Sequence, residues 1–371
     1  MRWGELIEHG TIVARPAPAR TPEPPKVNPE SWRRPVGPRP AAVTLGIAPK
    51  ILITALMVGA GAVAAAGPAA AAPSTLAQEA QPFHVAASEG VVAWSSWDAR
   101  DRIYRLVALR DGQRTVLPVP GSPEPFDVDL GTSRSGALVA VYSRKVNQSR
   151  DLFRYSFAGA KETRLTSLSR SDTDERQPTV WRGDIAFVRA STKTTRIMVG
   201  DTGRTASPRT LLSRRVNDGT FTHPELTTSR GLRRVAYVLA SPGRHGFARE
   251  AVHVRALRSG HDRVVHVAQS GGANFAHVTA PAWSDDGRAL YFARTNQGSG
   301  QGNRYVRYLT ASAKLGYAQG TSDAFSTAWL GDVHNGSLLV SSPGISDCTY
   351  SAAPGVCTLQ STGPLTFTSR R

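Results

Sequence analysis

The sequence predicts an all-β protein: a six-bladed β-propeller of four-stranded antiparallel blades, preceded by a disordered tail and an apolar signal or anchor segment. Three observations predict it. From Phe83 onward, short apolar runs alternate with turns rich in Gly, Ser, Asp, Asn and Arg, and no long helical period appears. Six of the runs return at a spacing of roughly 45–55 residues, the mark of a repeat architecture. One stretch, 281–293, spells out strand, tight turn and strand in full.

That stretch reads PAWSDDGRALYFA. Trp283 is a large apolar anchor. Ser284 to Gly287 supplies the turn, because Asp caps its own backbone and Gly accepts positive φ. The run 290–293 is then a short buried strand. The equivalent runs elsewhere are 91–94, 138–142, 185–188, 235–238 and 338–340. A turn precedes each: Glu89-Gly90, Ser135-Gly136, Arg182-Gly183-Asp184, Arg230-Gly231 and Asn335-Gly336.

Within a unit, a third and alternating strand follows, as at 102–109, 151–155, 251–257 and 304–309. Alternation marks a strand with one solvated face. A fourth short strand comes after a further turn, at 115–117, 163–166 and 263–267. Four antiparallel strands per repeat, repeated radially, make a propeller, in which each blade buries its faces on its neighbours and no helix is needed.

The chain before the repeats is of another kind. Residues 1–42 are rich in Pro and Arg with little apolar periodicity, which reads as a disordered tail. The run 51–67 carries no charge, follows Lys50, and is succeeded by Pro68 and the small residues 69–72. Positive flank, apolar core and A-x-A site make a secretory signal within 43–73. Two readings of its position stand. Translation starts downstream, with Val43 a candidate, and the segment is cleaved; or the tail is cytoplasmic and 51–67 is an uncleaved anchor, oriented by the positive charges before it. Either way residues 74–371 form the propeller and lie outside the cytoplasm, secreted or in the cell envelope.

Charge and cysteines bound the partners. The chain has 45 Lys+Arg against 28 Asp+Glu, a formal net charge of +17, and most of the cations are Arg. A basic surface favours acidic polymers. Without a dense basic block with interleaved aromatics, the pattern argues against nucleic acid. Cys348 and Cys357 flank a Pro-Gly loop in the last unit and are expected to form a disulfide in an exported chain. No CxxC or HxxxH spacing marks a metal site.

The best unit also carries a resemblance. Pro281-x-Trp283-Ser284-Asp285-Asp286-Gly287-x-x-Leu290-Tyr291-Phe292 resembles the repeat signature of the TolB-like, WD-related propellers of exported bacterial proteins, P-x-[WF]-S-P-D-G-x-x-[IL]-x-[FY]. Asp285 stands where that family usually has Pro. The units at 178–187 and 223–237 keep the Pro and the strand but change the turn, and the unit at 126–138 lacks the Pro. The resemblance spans about residues 83–365 and implies a channel face that binds protein partners.

Before the innermost strand of several units an aromatic precedes a polar residue: Phe83-His84, Phe126-Asp127, Phe221-x-His223, Phe275-x-His277 and Phe325-Ser326. The third unit has Asp172-x-Asp174-Glu175 instead. One reading is a ligand site at the channel mouth built by His223, His277, Asp127, Asp174 and Glu175, whose carboxylates would suit a cation such as calcium and whose imidazoles a transition metal. The other is that the Phe rings wedge between blades and the polar residues cap turns. There is no G-x-S-x-G elbow and no acid pair marked as that of a glycosidase. Gly298 to Gly302 reads as a hairpin loop. No catalytic residue and no obligatory cofactor is expected. The sequence points to a monomeric, non-catalytic binding or scaffold propeller whose partner is a protein or an anionic envelope polymer. Any membrane contact runs through 51–67 alone. The alternative is a propeller glycan hydrolase or lyase using channel-mouth carboxylates.

Overall fold

The computed structural model describes residues 74–79, 84–203, 206–229, 232–242, 248–269, 275–278, 280–297, 304–318, 329–334, 337–343, 357–364 and 367–368. All belong to one compact unit, Ala66–Arg371. The tail at 1–42, the apolar segment at 43–73, Cys348 and the Phe325-Ser326 pair lie outside the described residues, as does the side chain of Cys357. Among the described residues no helix is long and apolar enough to cross a membrane.

Strand β1 is Ser74–Glu79. Blade 1 follows with β2 (Val85–Ser88), β3 (Val91–Asp98), β4 (Ile103–Arg110) and β5 (Gln113–Val116). Blade 2 has β6 (Asp127–Thr132), β7 (Leu138–Val146), β8 (Ser149–Ser156) and β9 (Lys161–Arg164). Blade 3 has β10 (Asp174–Trp181), β11 (Asp184–Ala190), β12 (Thr194–Asp201) and β13 (Arg209–Arg215), then a single 3-10 turn at Val216–Asp218. Blade 4 has β14 (Thr220–Ser229), β15 (Leu232–Pro242), β16 (Ala248–Ala256) and β17 (Asp262–Gln269). Blade 5 has β18 (Phe275–Val278), β19 (Ala282–Trp283), β20 (Ala289–Gln297), β21 (Arg304–Leu309) and β22 (Lys314–Ala318). Blade 6 has β23 (Trp329–His334), β24 (Ser337–Pro343) and β25 (Cys357–Pro364), and β26 (Phe367–Thr368) ends the chain's strands.

These strands make six antiparallel sheets. The innermost strands touch in cyclic order, β2 to β6 to β10 to β14 to β19 to β23 and back to β2, so the blades form a closed ring. Five sheets have four strands, as the repeat predicts; blade 5 is larger, with six. Its inner strand is split at Pro281, so that β18 and β19 both pair with β20, and β26 is added outside β22.

The ends of the chain close the ring. β1 is the outermost strand of blade 6, pairing with β25 from Ser74↔Ser361 to Glu79↔Cys357. Glu79 then crosses to blade 1. Its carboxylate accepts from Trp94 Nε1 at 2.6 Å and Ser96 Oγ at 2.7 Å. The first strand of the ring is thus stitched to the last blade by its backbone and to the first blade by a side chain.

Packing follows the blades. Among the described residues six apolar clusters form, and each joins two adjacent sheets. Phe126 and Phe221 are buried and meet Tyr142 and Tyr237 edge-on, at ring centroids 5.5 and 5.6 Å apart, in two of these seams. Aromatic wedges of this kind add stabilisation beyond their buried area. The expected turn at 284–287 is present: Gly287 has φ 63°, its N–H donates to Ser284 O at 2.7 Å, and Asp286 Oδ1 accepts from Arg288 N at 3.0 Å.

Candidate functional site

The innermost strands meet at a channel cavity lined by residues of all six blades. At the mouth stand equivalent dipeptides from five of them: His84-Val85, Asp127-Val128, Gln177-Pro178, His223-Pro224 and Ala280-Pro281. The sequence makes this mouth by kinking its inner strands. Gln177 and His223 have φ 49° and 48°, in the left-handed region, and a register shift interrupts the pairing at each. The following Pro has no N–H to lose, so the break in the ladder coincides with a residue that could not pair. Such a backbone costs on the order of 1–3 kcal/mol per residue and needs external support. The support is mutual: His223 N–H donates to Gln177 Oε1 at 2.9 Å, and Gln177 Nε2 lies 3.2 Å from His223 Nε2.

Asp127 Oδ2 accepts from Ser143 Oγ at 2.9 Å within its own blade and from Gln177 N–H at 3.2 Å in the next. The His84 and His223 rings stack with centroids 6.2 Å apart, and His84 Nδ1 is 3.1 Å from Val128 O. Burial lowers the pKa of both imidazoles; that of His223 falls to about 4, with His84 adding to the effect. The mouth thus holds two imidazoles whose burial disfavours their charged form, beside Asp127, which already accepts two hydrogen bonds.

The next residue inward on each blade is Ala86, Asp129, Thr179, Glu225, Ala282 and Asp332, in ring order. Carboxylates stand on alternate blades, 2, 4 and 6, with small residues between them. Two of the three join blades. Asp129 Oδ2 accepts from Val180 N–H at 2.6 Å, and Asp332 Oδ2 from Ala87 N–H at 2.5 Å. Thr179 Oγ1 accepts from Leu226 N–H at 3.1 Å in the same relation. Burial pushes the Asp129 carboxyl up to about 7. Burial, and then the Asp129 charge, push Glu225 and Asp332 well above the usual carboxylate range. Burial and mutual repulsion thus disfavour three charges in this inner ring.

Of the five residues expected at the mouth, the structure brings Asp127 and His223 to the channel wall. His277 is exposed and pairs with Glu250, Nδ1 to Oε1 at 3.1 Å, and that hydrogen bond raises its pKa. Glu250 in turn acts electrostatically on His223 and accepts from Val278 N–H at 2.9 Å. Asp174 accepts from Arg150 N–H at 3.0 Å, and Arg150 Nη1 stands 3.8 Å from Asp127 Oδ2. Glu175 does not line the cavity. It is fully buried against Arg189 Nε at 2.8 Å, with Thr173 Oγ1 and Arg170 N–H on its oxygens, which makes it a structural ion pair. Among the described residues no group of three or more His, Cys, Asp or Glu is placed to hold a metal ion.

Asp129, Glu225 and Asp332 are additions that the motif reading passes over. Residues i and i+2 of a strand share a side, so Asp127 already pointed to Asp129.

No family model and no curated protein matches the chain. Solved structures do. TolB from Acinetobacter baumannii is 14% identical with a TM-score of 0.44, over 77% of this chain and 56% of that one. An oligogalacturonate lyase in complex with manganese is 13% identical with a TM-score of 0.46, over 74% and 86%. The β-propeller domain of the Trilobed protease from Pyrococcus furiosus is 9% identical with a TM-score of 0.41, over 70% and 78%. The likeness is one of fold. This chain spans just over half the length of the TolB chain, and its neighbours include enzymes and non-enzymes alike.

Proposed function

We propose that this chain is an exported, non-catalytic binding propeller of the cell envelope or extracellular space, which meets a protein or an anionic envelope polymer at its channel mouth. The observation that carries this reading is the channel itself. Its cavity measures about 20 Å³, room for a water molecule and far too little for a sugar ring. A glycan hydrolase or lyase needs an acid and a base facing open space. Here Asp127, Asp129 and Asp332 accept hydrogen bonds that tie one blade to the next, and Glu225 lies in the same small cavity. These groups hold the ring, and the recognition surface of the channel is its rim: His277, Glu250, Arg150 and Asp174.

One experiment separates the two readings. The purified chain is incubated with neutral and acidic polysaccharides, and newly formed chain ends are counted. No release is expected. Release that disappears in D129N or E225Q would establish the glycan enzyme. Export is read separately, from the intact mass and N-terminal sequence of the protein in its native host. A soluble product starting near Ala72 or Ser74 is expected; a membrane-bound product that keeps Met1 makes 51–67 an anchor.

A further inference from the structure

A second cavity, of about 600 Å³, opens between blades 3 and 4. That is the size of a small-molecule site, which spans about 300–1,000 Å³. Arg214 faces it from blade 3, with Asp218 in the turn that follows, and Tyr237, His253 and Asp262 face it from blade 4.

The propeller supplies its own control for what this place does when it is only structural. Blades 2 and 4 build the same cluster. Tyr142 in blade 2 pairs across the ladder with Phe153 and stacks on it at 5.8 Å and 13°. Tyr237 in blade 4 pairs with His253 and stacks on it at 4.9 Å and 14°. Each tyrosine hydroxyl donates to an acid on the outermost strand, Glu162 in blade 2 and Asp262 in blade 4.

The two clusters differ in how they are closed. In blade 2, Arg144 lies two residues after the tyrosine. It donates twice to Glu162, at 3.1 Å each, and its guanidinium sits 4.2 Å from the Phe153 ring centroid. The acid is sealed by its own blade. In blade 4 the residue two after the tyrosine is Leu239, which is buried in the seam with blade 3. No guanidinium reaches the acid from that position, and the apolar ring has become an imidazole. His253 Nδ1 lies 3.4 Å from Asp262 Oδ1, and Arg255 Nη1 lies 3.7 Å from Oδ2. Asp262 is therefore compensated from inside blade 4. Arg214 and Arg215, across the cleft, are exposed and make no ion pair with a described residue. Blade 2 shows that a phenylalanine serves the fold at this position, so packing alone does not ask for His253.

We propose that this cleft binds a small organic anion: a carboxylate or phosphate on a body about the size of a monosaccharide. Arg214 takes the anion, as a guanidinium fork does, and Arg215, on the other face of the strand, adds only its charge. The imidazole of His253, stacked on Tyr237 and beside Asp262, meets the ligand's other polar atoms.

The test is calorimetric titration of the full chain with glucuronate, glucose 1-phosphate and glucose. At least one of the anions binds and glucose does not; which anion binds identifies the group recognised. R214A/R215A, two surface changes checked by an unaltered melting temperature, weakens binding about tenfold or more. H253F, which writes the blade 2 ring into blade 4, weakens it several-fold. The proposal is overturned if neither anion binds more tightly than glucose, or if R214A/R215A leaves the affinity unchanged. Undiminished affinity in H253F overturns the role given to the imidazole.

Discussion

Replacing Glu79 by Ala tests how the ring is closed. The carboxylate is buried and accepts from Trp94 Nε1 at 2.6 Å and Ser96 Oγ at 2.7 Å, both buried donors of blade 1. Removing it takes the carboxylate acceptor away from both donors. Each costs about 1–3 kcal/mol, and hydrogen bonds to a charged group lie toward the upper end. Arg114 Nη2, at 3.4 Å and half exposed, adds little. E79A is therefore expected to lose about 3–5 kcal/mol. E79Q keeps one acceptor oxygen and should lose about half of that. The assay is urea unfolding followed by circular dichroism, run in the native background and in W94F. With one donor already gone, the penalty of E79A should shrink by about 1–2 kcal/mol. A penalty below about 0.5 kcal/mol, the scatter of ordinary surface changes, would refute the reasoning. So would an equal penalty in both backgrounds.

The channel makes two opposed pH dependences. Asp129 has its carboxyl raised from 3.8 to about 7, so between these values the folded chain binds a proton that the unfolded chain has released. Its contribution is full below pH 3.8 and is lost as pH rises toward 7. His223 falls from 6.5 to about 4; there the unfolded chain takes the proton first, and the contribution is full above pH 6.5 and is lost as pH falls toward 4. D129N should therefore shift the balance of melting temperatures between mildly acidic and mildly alkaline buffer toward alkaline, and H223Q toward acidic; movement of both in one direction contradicts the assignment. E175A leaves the Arg189 guanidinium buried with only the Leu168 carbonyl, at 2.6 Å, to meet it. It should cost about 3–5 kcal/mol, read by the same unfolding curves, with E175Q milder because its amide oxygen still accepts.

Much of the ring is legible in the sequence, and the reason is periodicity. The apolar second strands at 91–94, 185–188 and 290–293 all lie in the strands expected, because a run buried on both faces leaves no room for polar residues. The mouth is legible in part. Phe126-Asp127 and Phe221-x-His223 announce themselves by repeating, and their positions in successive blades converge. Asp174-Glu175 repeats no pattern, and Glu175 went to the core with an arginine that follows it by fourteen residues. The closing strand was illegible. Ser74–Glu79 has neither alternation nor a β-branched run, and its partner lies at the far end of the chain. The cleft between blades 3 and 4 is hidden for another reason: its meaning rests on comparing Phe153 with His253, which only the strand register aligns.

The pairing of Ser74 with Ser361 also sets a timetable. Blades 1 to 4 are each built from consecutive hairpins, so their contacts are local and can form as soon as their residues are free. Blade 6 cannot: its edge strand comes from the beginning of the ring and its other three from the end. Blade 5 likewise gains its last strand only with Phe367–Thr368. The loop closed by the first pairing is nearly the whole propeller, and closing a long loop is an entropic cost met before any contact repays it. Ring closure is therefore the late event in folding. A chain cut short before β25 would keep its local hairpins and leave β1 without a partner strand, its Glu79 bonds to blade 1 alone having to hold it in place.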